Sequence, residues 1–340
     1  MESTRRPALL VVNQYYAPGV ESTAQLLTQL CEGLAPYFDI TVVTGAVAGE
    51  RLPETDVRGG VRVVRVGSTA FDRSRLMLRG VNYLSFLALS LRAGMKSARP
   101  DVVLCMSDPP FISLVGVALA RRFSVPLVVV TQDVFPEIAV KLGRIENRLV
   151  VLLLDLLVRF GLTRADRVVA IGDTMRGHLQ AKGVAGSRID VVPNWTDTTE
   201  IVPRPRDNTW AQEQGLTERF VVMHSGNVGY AQDLASLIRA GTYLRDLEDL
   251  ALVIIGSGAL HAELVRLAAE LEVDALRFLP YQPRERLSES LSSADIHVVG
   301  LARGLAGYVV PSRIYGVLAA GRPVVVAADE TSETARLVRD

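Results

Sequence analysis

The 340-residue chain balances 37 basic against 37 acidic side chains, so it has no net field to recruit nucleic acid or another polyanion. Its composition, 49% hydrophobic and 22% charged, is globular, and its length favours two domains over a single core. Cys31 and Cys105 lie inside apolar periodic segments and read as small core residues of a reducing compartment, which excludes a disulfide framework.

The apolar run Ala8–Val12 after Arg5 and Arg6 is too short for a secretion signal. No segment reaches the ~20 apolar residues of a spanning helix. The expected location is therefore cytoplasmic, with any membrane contact peripheral. Ala8–Val12 itself reads as a buried strand, followed by the turn Tyr16-Ala17-Pro18-Gly19. From about Ser22 a helix is predicted, with Ala24, Leu27, Cys31 and Leu34 on one face. Strands follow at Ile40–Thr44, Val61–Val66, Asp101–Met106, Leu127–Thr131, Arg167–Ile171 and Ile189–Val192, with helical patterns between most of them. That alternation means βαβ units and a parallel sheet.

After Asn194 the texture changes to Pro, Thr and Asp without apolar periodicity. The expected organisation is a first domain over residues 1–196, a linker over 197–213 and a second domain over 214–340. In the second, strands are predicted at Phe220–His224, Leu250–Ile255, Ala275–Leu279, Ile296–Gly300 and Pro323–Ala327. The fold class is α/β, two doubly wound parallel-sheet domains in series. Ligands on such sheets sit at the carboxyl ends of the strands, which makes a cleft between the domains the natural site.

Two helical segments are unusually apolar and fringed by arginine. One is Leu76–Lys96, with Arg73, Arg75, Arg79, Arg92 and Lys96 around it; the other is Arg144–Arg164, with Arg144, Arg148 and Arg164 flanking it. Such faces can lie on an anionic bilayer. Each alone also fits a buried helix of an α/β domain; the pair together favours the membrane surface.

Several chemistries are missing from the motif inventory. The first strand is not followed by Gly-x-Gly-x-x-Gly, there is no Gly-Lys-Ser/Thr phosphate loop, and no Asp-x-Asp occurs anywhere. His178, His224, His261 and His297 are scattered rather than spaced as metal ligands. What remains is three loops at strand ends in the second domain. His224-Ser225-Gly226-Asn227-Val228-Gly229-Tyr230 precedes a helix expected from about Gln232, and Ile255-Gly256-Ser257-Gly258 ends the next strand. Their glycines and small polar residues let a backbone approach a diphosphate closely, although the same chemistry serves ordinary turns.

The third loop is Pro311-Ser312-Arg313. Pro311-Ser312 reads as a turn and N-cap, Ile314, Val317 and Leu318 fall at helical spacing, and Gly321 stands where a helix end wants positive φ. A helix opening there would aim unpaired N–H groups at an anion, and Arg313 adds a full positive charge. A plain helix-to-strand packing unit is the other reading. In the first domain, Asp133 and Glu137 could position a hydroxyl, or Asp133 could cap the turn before Pro136.

Taken together, Asn13–Pro18, Gln132–Glu137, Val192–Asp197, Gly226–Gly229, Ile255–Gly258, Pro311–Arg313 and Leu318–Pro323 resemble, in order and spacing, the family 4 retaining glycosyltransferases of the GT-B fold. Within these, the chain is similar to bacterial polysaccharide transferases that include N-acetylfucosamine transferases. The resemblance implies two Rossmann-like domains facing a cleft. The first would bind the acceptor, with Tyr16, Pro18 and Gly19 on its side, and the second a nucleotide-sugar, most simply UDP-linked. Gly226, Asn227, Gly229, Gln232, Gly256, Gly258, Pro311, Ser312 and Arg313 would hold the donor. The transferred sugar would meet Gln132, Asp133 and Glu137, the catalytic candidates. No metal or other cofactor is expected, because preorganised N–H groups and a cation can stabilise the leaving diphosphate.

The chain departs from that family at several places. Asn227 and Gln232 stand where relatives often carry Arg and Lys, and Tyr308 and Gly316 where they often carry two glutamates. The sequence ends at Asp340, where the family continues, so the second domain is expected to be incomplete. The function expected is transfer of a hexose or N-acetylated sugar to a lipid-linked or saccharide acceptor in cell-envelope polysaccharide synthesis, at the inner face of the cytoplasmic membrane. The alternatives are a UDP-sugar 2-epimerase of similar plan and a non-catalytic transferase-like partner subunit.

Overall fold

The computed structural model describes residues 5–19, 21–47, 52–67, 69 and 76–339; for 76–79 only the helical backbone is described. Arg73 and Arg75 of the expected basic fringe lie outside these residues, as does the side chain of Arg79. The chain forms two compact units: Met1–Pro193 with Gly307–Val309, and Asn194–Ala306 with Val310–Asp340.

The first unit is built on eight strands, β1 (Ala8–Val12), β2 (Asp39–Gly45), β3 (Thr55–Arg58), β4 (Val61–Val66), β5 (Val102–Met106), β6 (Leu127–Thr131), β7 (Arg167–Ala170) and β8 (Ile189–Val191). Their order across the sheet is β3-β4-β2-β1-β5-β6-β7-β8. β1 sits in the middle because it is apolar on both faces: Leu9, Leu10, Val11 and Val12 are all buried. Val12 lies opposite Val43 on one side and Cys105 on the other. Both cysteines are free and buried, as small core residues.

One strand departs from the expected parallel plan. β3 pairs antiparallel with β4 through a Gly59-Gly60 turn, both glycines at positive φ (55° and 79°). Thr-Asp-Val-Arg carries no apolar alternation, so only the turn announces the hairpin.

The second unit is a five-stranded parallel sheet of β9 (Phe220–Ser225), β10 (Leu250–Ile255), β11 (Leu276–Leu279), β12 (Ile296–Gly300) and β13 (Val324–Ala327), in the order β11-β10-β9-β12-β13. β10, Leu-Ala-Leu-Val-Ile-Ile, is buried along its whole length. Thr209–Glu213, inside the stretch expected to be linker, is a short helix that the Asn208 side chain caps by accepting from Ala211 N–H.

Each sheet reverses direction once. In the first unit the reversal falls between β1 and β5, in the second between β9 and β12. The loops leaving those strands at their carboxyl ends flank a crevice, which is where an open α/β sheet binds its ligand. Thus Gly226–Gly229, after β9, is at the switch point of the second sheet by topology alone.

Candidate functional site

In the second unit the two glycine loops interlock through their backbones. Gly226 N–H donates to Ile255 O at 2.8 Å, Val228 N–H to Ser257 O at 3.0 Å, and Gly256 N–H to Leu279 O at 2.9 Å. Gly256 has φ +136°, and a Cβ there would overlap the carbonyl oxygen of Gly226. A Cβ on Gly258 would likewise run into the carbonyl of Val228 and lie 2.7 Å from Asn227 Oδ1. The glycines are thus required first by the loops themselves, packed backbone to backbone. Gln232 is also committed internally: its Oε1 accepts from Gly229 N–H at 3.1 Å. The helix expected from Gln232 is instead a 3-10 turn at Tyr230–Gln232, followed by a helix at Leu234–Gly241 after Asp233 in the left-handed region.

Arg313 enters the same loop cluster from the chain after Pro311. A Cβ on Gly226 would meet its Cζ and Nε at 3.3 Å, so the missing side chain is what admits the guanidinium. Nη1 of Arg313 lies 2.6 Å from Nε2 and 3.1 Å from Nδ1 of His224, which is fully buried at the end of β9. Burial brings the Arg313 guanidinium down to about 10. Burial, and then the Arg313 charge, hold His224 well below the usual histidine range, so its ring is neutral. Among the described residues no carboxylate pairs with Arg313, and its buried Nε has no hydrogen-bond partner. A desolvated cation without a counter-charge is costly unless an anion completes it.

Ser312 does occupy the N-cap position, directly before the helix Arg313–Ala319, but its side chain makes no capping hydrogen bond. Its backbone is helical (φ −62°, ψ −22°) rather than extended as capping residues ordinarily are. The helix Arg313–Ala319 that follows is only two turns long. Gly321 does adopt the expected positive φ, +66°, at its end.

In the first unit, Gln132, Asp133 and Glu137 follow β6. Gln132 is buried, and its N–H donates to Ser107 Oγ at 2.8 Å, tying the loop after β6 to the one after β5. Asp133 forms an antiparallel bridge with Val309, and Val134 N–H donates to Tyr308 O at 2.8 Å. The Asp133 carboxyl is pushed up to about 7, first by burial and then by the Asp108 carboxylate. Glu137 opens the short helix Glu137–Lys141, and its Oε1 pairs with Lys182 Nζ at 2.8 Å. The Tyr308 ring stacks on His178, centroids 4.0 Å apart, and Lys141 Nζ stands 4.9 Å from its centroid. Lys182, Tyr308 and His178 carry no motif of their own; only the fold brings them to Glu137.

The acceptor-side candidates separate. Tyr16 is packed into the core beside Leu27 and Cys31, so it can act there only through the turn it anchors, where Gly19 N–H donates to Tyr16 O at 3.0 Å. Pro18 and Gly19 are partly exposed on that turn. Among the described residues no group of three or more His, Cys, Asp or Glu converges as metal ligands. No described helix is long and apolar enough to cross a membrane.

The helix Arg148–Thr163 buries Val158, Gly161 and Leu162, half-buries Val151, Leu154 and Leu157, and turns a row of leucines outward. Leu149, Leu152, Leu153 and Leu156 are each more than half exposed, at 77%, 58%, 59% and 57%. Phe160, on the same helix, carries the guanidinium of Arg164 4.4 Å from its centroid and that of Arg121 at 5.9 Å.

Residues 22–195 match the glycosyl transferase 4-like domain, and residues 206–336 match the glycosyl transferases group 1 domain. The probable glycosyltransferase WbjE of Pseudomonas aeruginosa is 26% identical over 335 residues, 97% of this chain and 83% of WbjE. The putative colanic acid biosynthesis glycosyl transferase WcaI of Escherichia coli K12 is 31% identical over 182 residues, 53% of this chain and 44% of WcaI. Among solved structures, Anabaena Alr3699/HepE in complex with UDP-glucose superposes with a TM-score of 0.73 at 15% identity, over 98% of this chain and 82% of HepE. The two-domain α/β fold is thus that of the GT-B enzymes, and the chain belongs to the glycosyltransferases that join a glycosyl transferase 4-like domain to a group 1 domain.

Proposed function

We propose that this glycosyltransferase retains anomeric configuration and moves a hexose or N-acetylated sugar from a UDP-linked donor to a lipid-linked saccharide, without a metal ion. The observation that carries the reading is Arg313: a partly buried guanidinium with no carboxylate partner among the described residues, set under Gly226 at the switch point of the second sheet. Negative charge in glycosyl transfer develops on the leaving diphosphate, and a fixed cation in a desolvated site stabilises that charge as it forms. The interlocked Gly226–Gly229 and Gly256–Gly258 loops give the backbone close approach that a diphosphate needs. Gln132, Asp133 and Glu137 serve the acceptor hydroxyl. Asp133, poised near neutrality, is suited to exchange its proton.

Two features support a cell-envelope setting. WcaI, similar over 53% of the chain, is named for colanic acid biosynthesis. The outward leucines of Arg148–Thr163, edged by Arg121 and Arg164, suit peripheral attachment to an anionic bilayer carrying a lipid-linked acceptor. A place among the N-acetylfucosamine transferases of family 4 belongs to the same reading. Calorimetry with UDP tests its centre. Arg313→Ala is expected to weaken UDP binding roughly 10- to 100-fold, the worth of one charge-assisted contact of about 1.5–3 kcal/mol. Unchanged affinity overturns the assignment of the donor loop. Conversion of UDP-N-acetylglucosamine to its 2-epimer in the absence of acceptor would instead point to the epimerase.

A further inference from the structure

Among the described residues of the first unit, Lys182 is the one ammonium that the fold both buries and uses twice. It ends the helix Asp173–Ala181, with its side chain only 2% exposed. Nζ lies 2.6 Å from Asp155 Oδ1 and 2.8 Å from Glu137 Oε1. Asp155 is held in turn by Arg159 Nε at 2.6 Å on its other oxygen. Four charges of alternating sign therefore run from the arginine of the outward-facing helix to the carboxylate beside Tyr308. Burying an ammonium is tolerable only when such partners satisfy it, so its position is strongly determined.

The consequence falls on Glu137. Oε1 is taken by Lys182, whereas Oε2 is shielded from solvent and has no hydrogen-bond partner among the described residues. A buried carboxylate oxygen short of a donor costs free energy that an incoming hydroxyl would recover. We propose that Lys182 is a positioning residue for the acceptor side of transfer: anchored on Asp155, it fixes one oxygen of Glu137 and leaves the other to receive a hydroxyl of the acceptor saccharide. This rests on the glycosyltransferase reading above, with Glu137 on the acceptor side.

The test compares the wild type with Lys182→Met, Glu137→Gln, the double variant and Lys182→Arg. Each is assayed for UDP affinity by calorimetry, and for transfer from a UDP-sugar panel to native lipid-linked glycan in detergent. Lys182→Met is expected to raise KM for the glycan roughly 10- to 100-fold, the effect of a misplaced contact, with UDP affinity within about twofold of wild type. The double variant should be no worse than the poorer single one, and Lys182→Arg, which keeps the cation, should recover part of the loss. Multiplicative losses in the double variant, or an unchanged glycan KM in Lys182→Met, overturn the positioning role. If Lys182→Met does not fold, Asp155→Asn takes its place: it removes the ammonium's second anchor, and an unchanged glycan KM again counts against the proposal. A wild type that neither binds UDP nor transfers from any UDP-sugar sinks the donor reading itself, and the inference with it, an outcome distinct from selective loss on the acceptor side.

Discussion

Arg313 rests its guanidinium against the neutral ring of His224, 2.6 Å from Nε2, so one partly buried cation is held by a group that would repel it if protonated. His297, also buried and bound through Nε2 to Leu291 O at 2.8 Å, is brought down to about 4 by burial. In both cases the unfolded chain takes up a proton at a higher pH than the native one. Stability from these residues is complete above about pH 6.5, the ordinary histidine value, and falls as pH drops towards 4. Urea unfolding of Asp133→Asn, which lacks the opposing carboxyl, should show the midpoint decreasing across that window, and adding His297→Gln should flatten part of the slope. A midpoint unchanged between these limits contradicts the neutral, buried histidines.

Asp133 works in the opposite direction. Its carboxyl titrates near 7 in the fold against 3.8 ordinarily, so the native state holds a proton the unfolded chain has lost. That contribution is fully present below 3.8 and is lost progressively as pH rises to about 7. Asp133→Asn should remove this alkaline decline, measured by the same unfolding series. If the ionised carboxylate receives the acceptor proton, transfer should rise with pH through about 7 in the wild type and lose that limb in the variant.

Two glycines separate strain from mere flexibility. Gly256→Ala must place a Cβ on the carbonyl of Gly226 at φ +136°, so it should cost roughly 2–4 kcal/mol and disturb UDP binding together with stability. Gly33, exposed in the helix Ser22–Leu34, has nothing within 4 Å of an added Cβ. Gly33→Ala should stabilise by about 0.5–1 kcal/mol. Thermal or urea midpoints check both, and equal effects at the two sites would refute the interlocked-loop account.

The strands and their alternation were legible in the sequence because parallel strands buried on both faces are continuous apolar runs, as in β1 and β10. β3 was not, since an exposed edge of Thr, Asp and Arg needs no such pattern. The glycine loops and Arg313 could be found because turn chemistry is local. Lys182 could not: its partner Asp155 is 27 positions away, and a lone lysine after a helix reads as solvated surface. Ser312 shows the limit of such local signals: it stands at the N-cap position as its residue type suggests, yet with a helical backbone it makes no capping bond.

The outward leucines of Arg148–Thr163 predict a surface activity. The chain should sediment with vesicles containing phosphatidylglycerol, less so as salt is raised, because arginine attraction to anionic lipid is screened. Leu152→Glu with Leu153→Glu should abolish sedimentation while leaving UDP affinity intact, since both side chains point to solvent. Equal binding to purely zwitterionic vesicles, or no effect of the double change, would assign that face another partner.

The three residues Gly307–Val309 belong with the first unit although more than a hundred positions of the second precede them. They supply the strand partner of Asp133, the acceptor for Val134 N–H and the ring against His178. A polypeptide cut after Pro193 would therefore leave two backbone groups and one aromatic face of the first unit unmatched. The halves of this enzyme cannot be exchanged at that boundary like modules: any chimera that keeps the first sheet has to carry Tyr308 and its neighbours from the same parent.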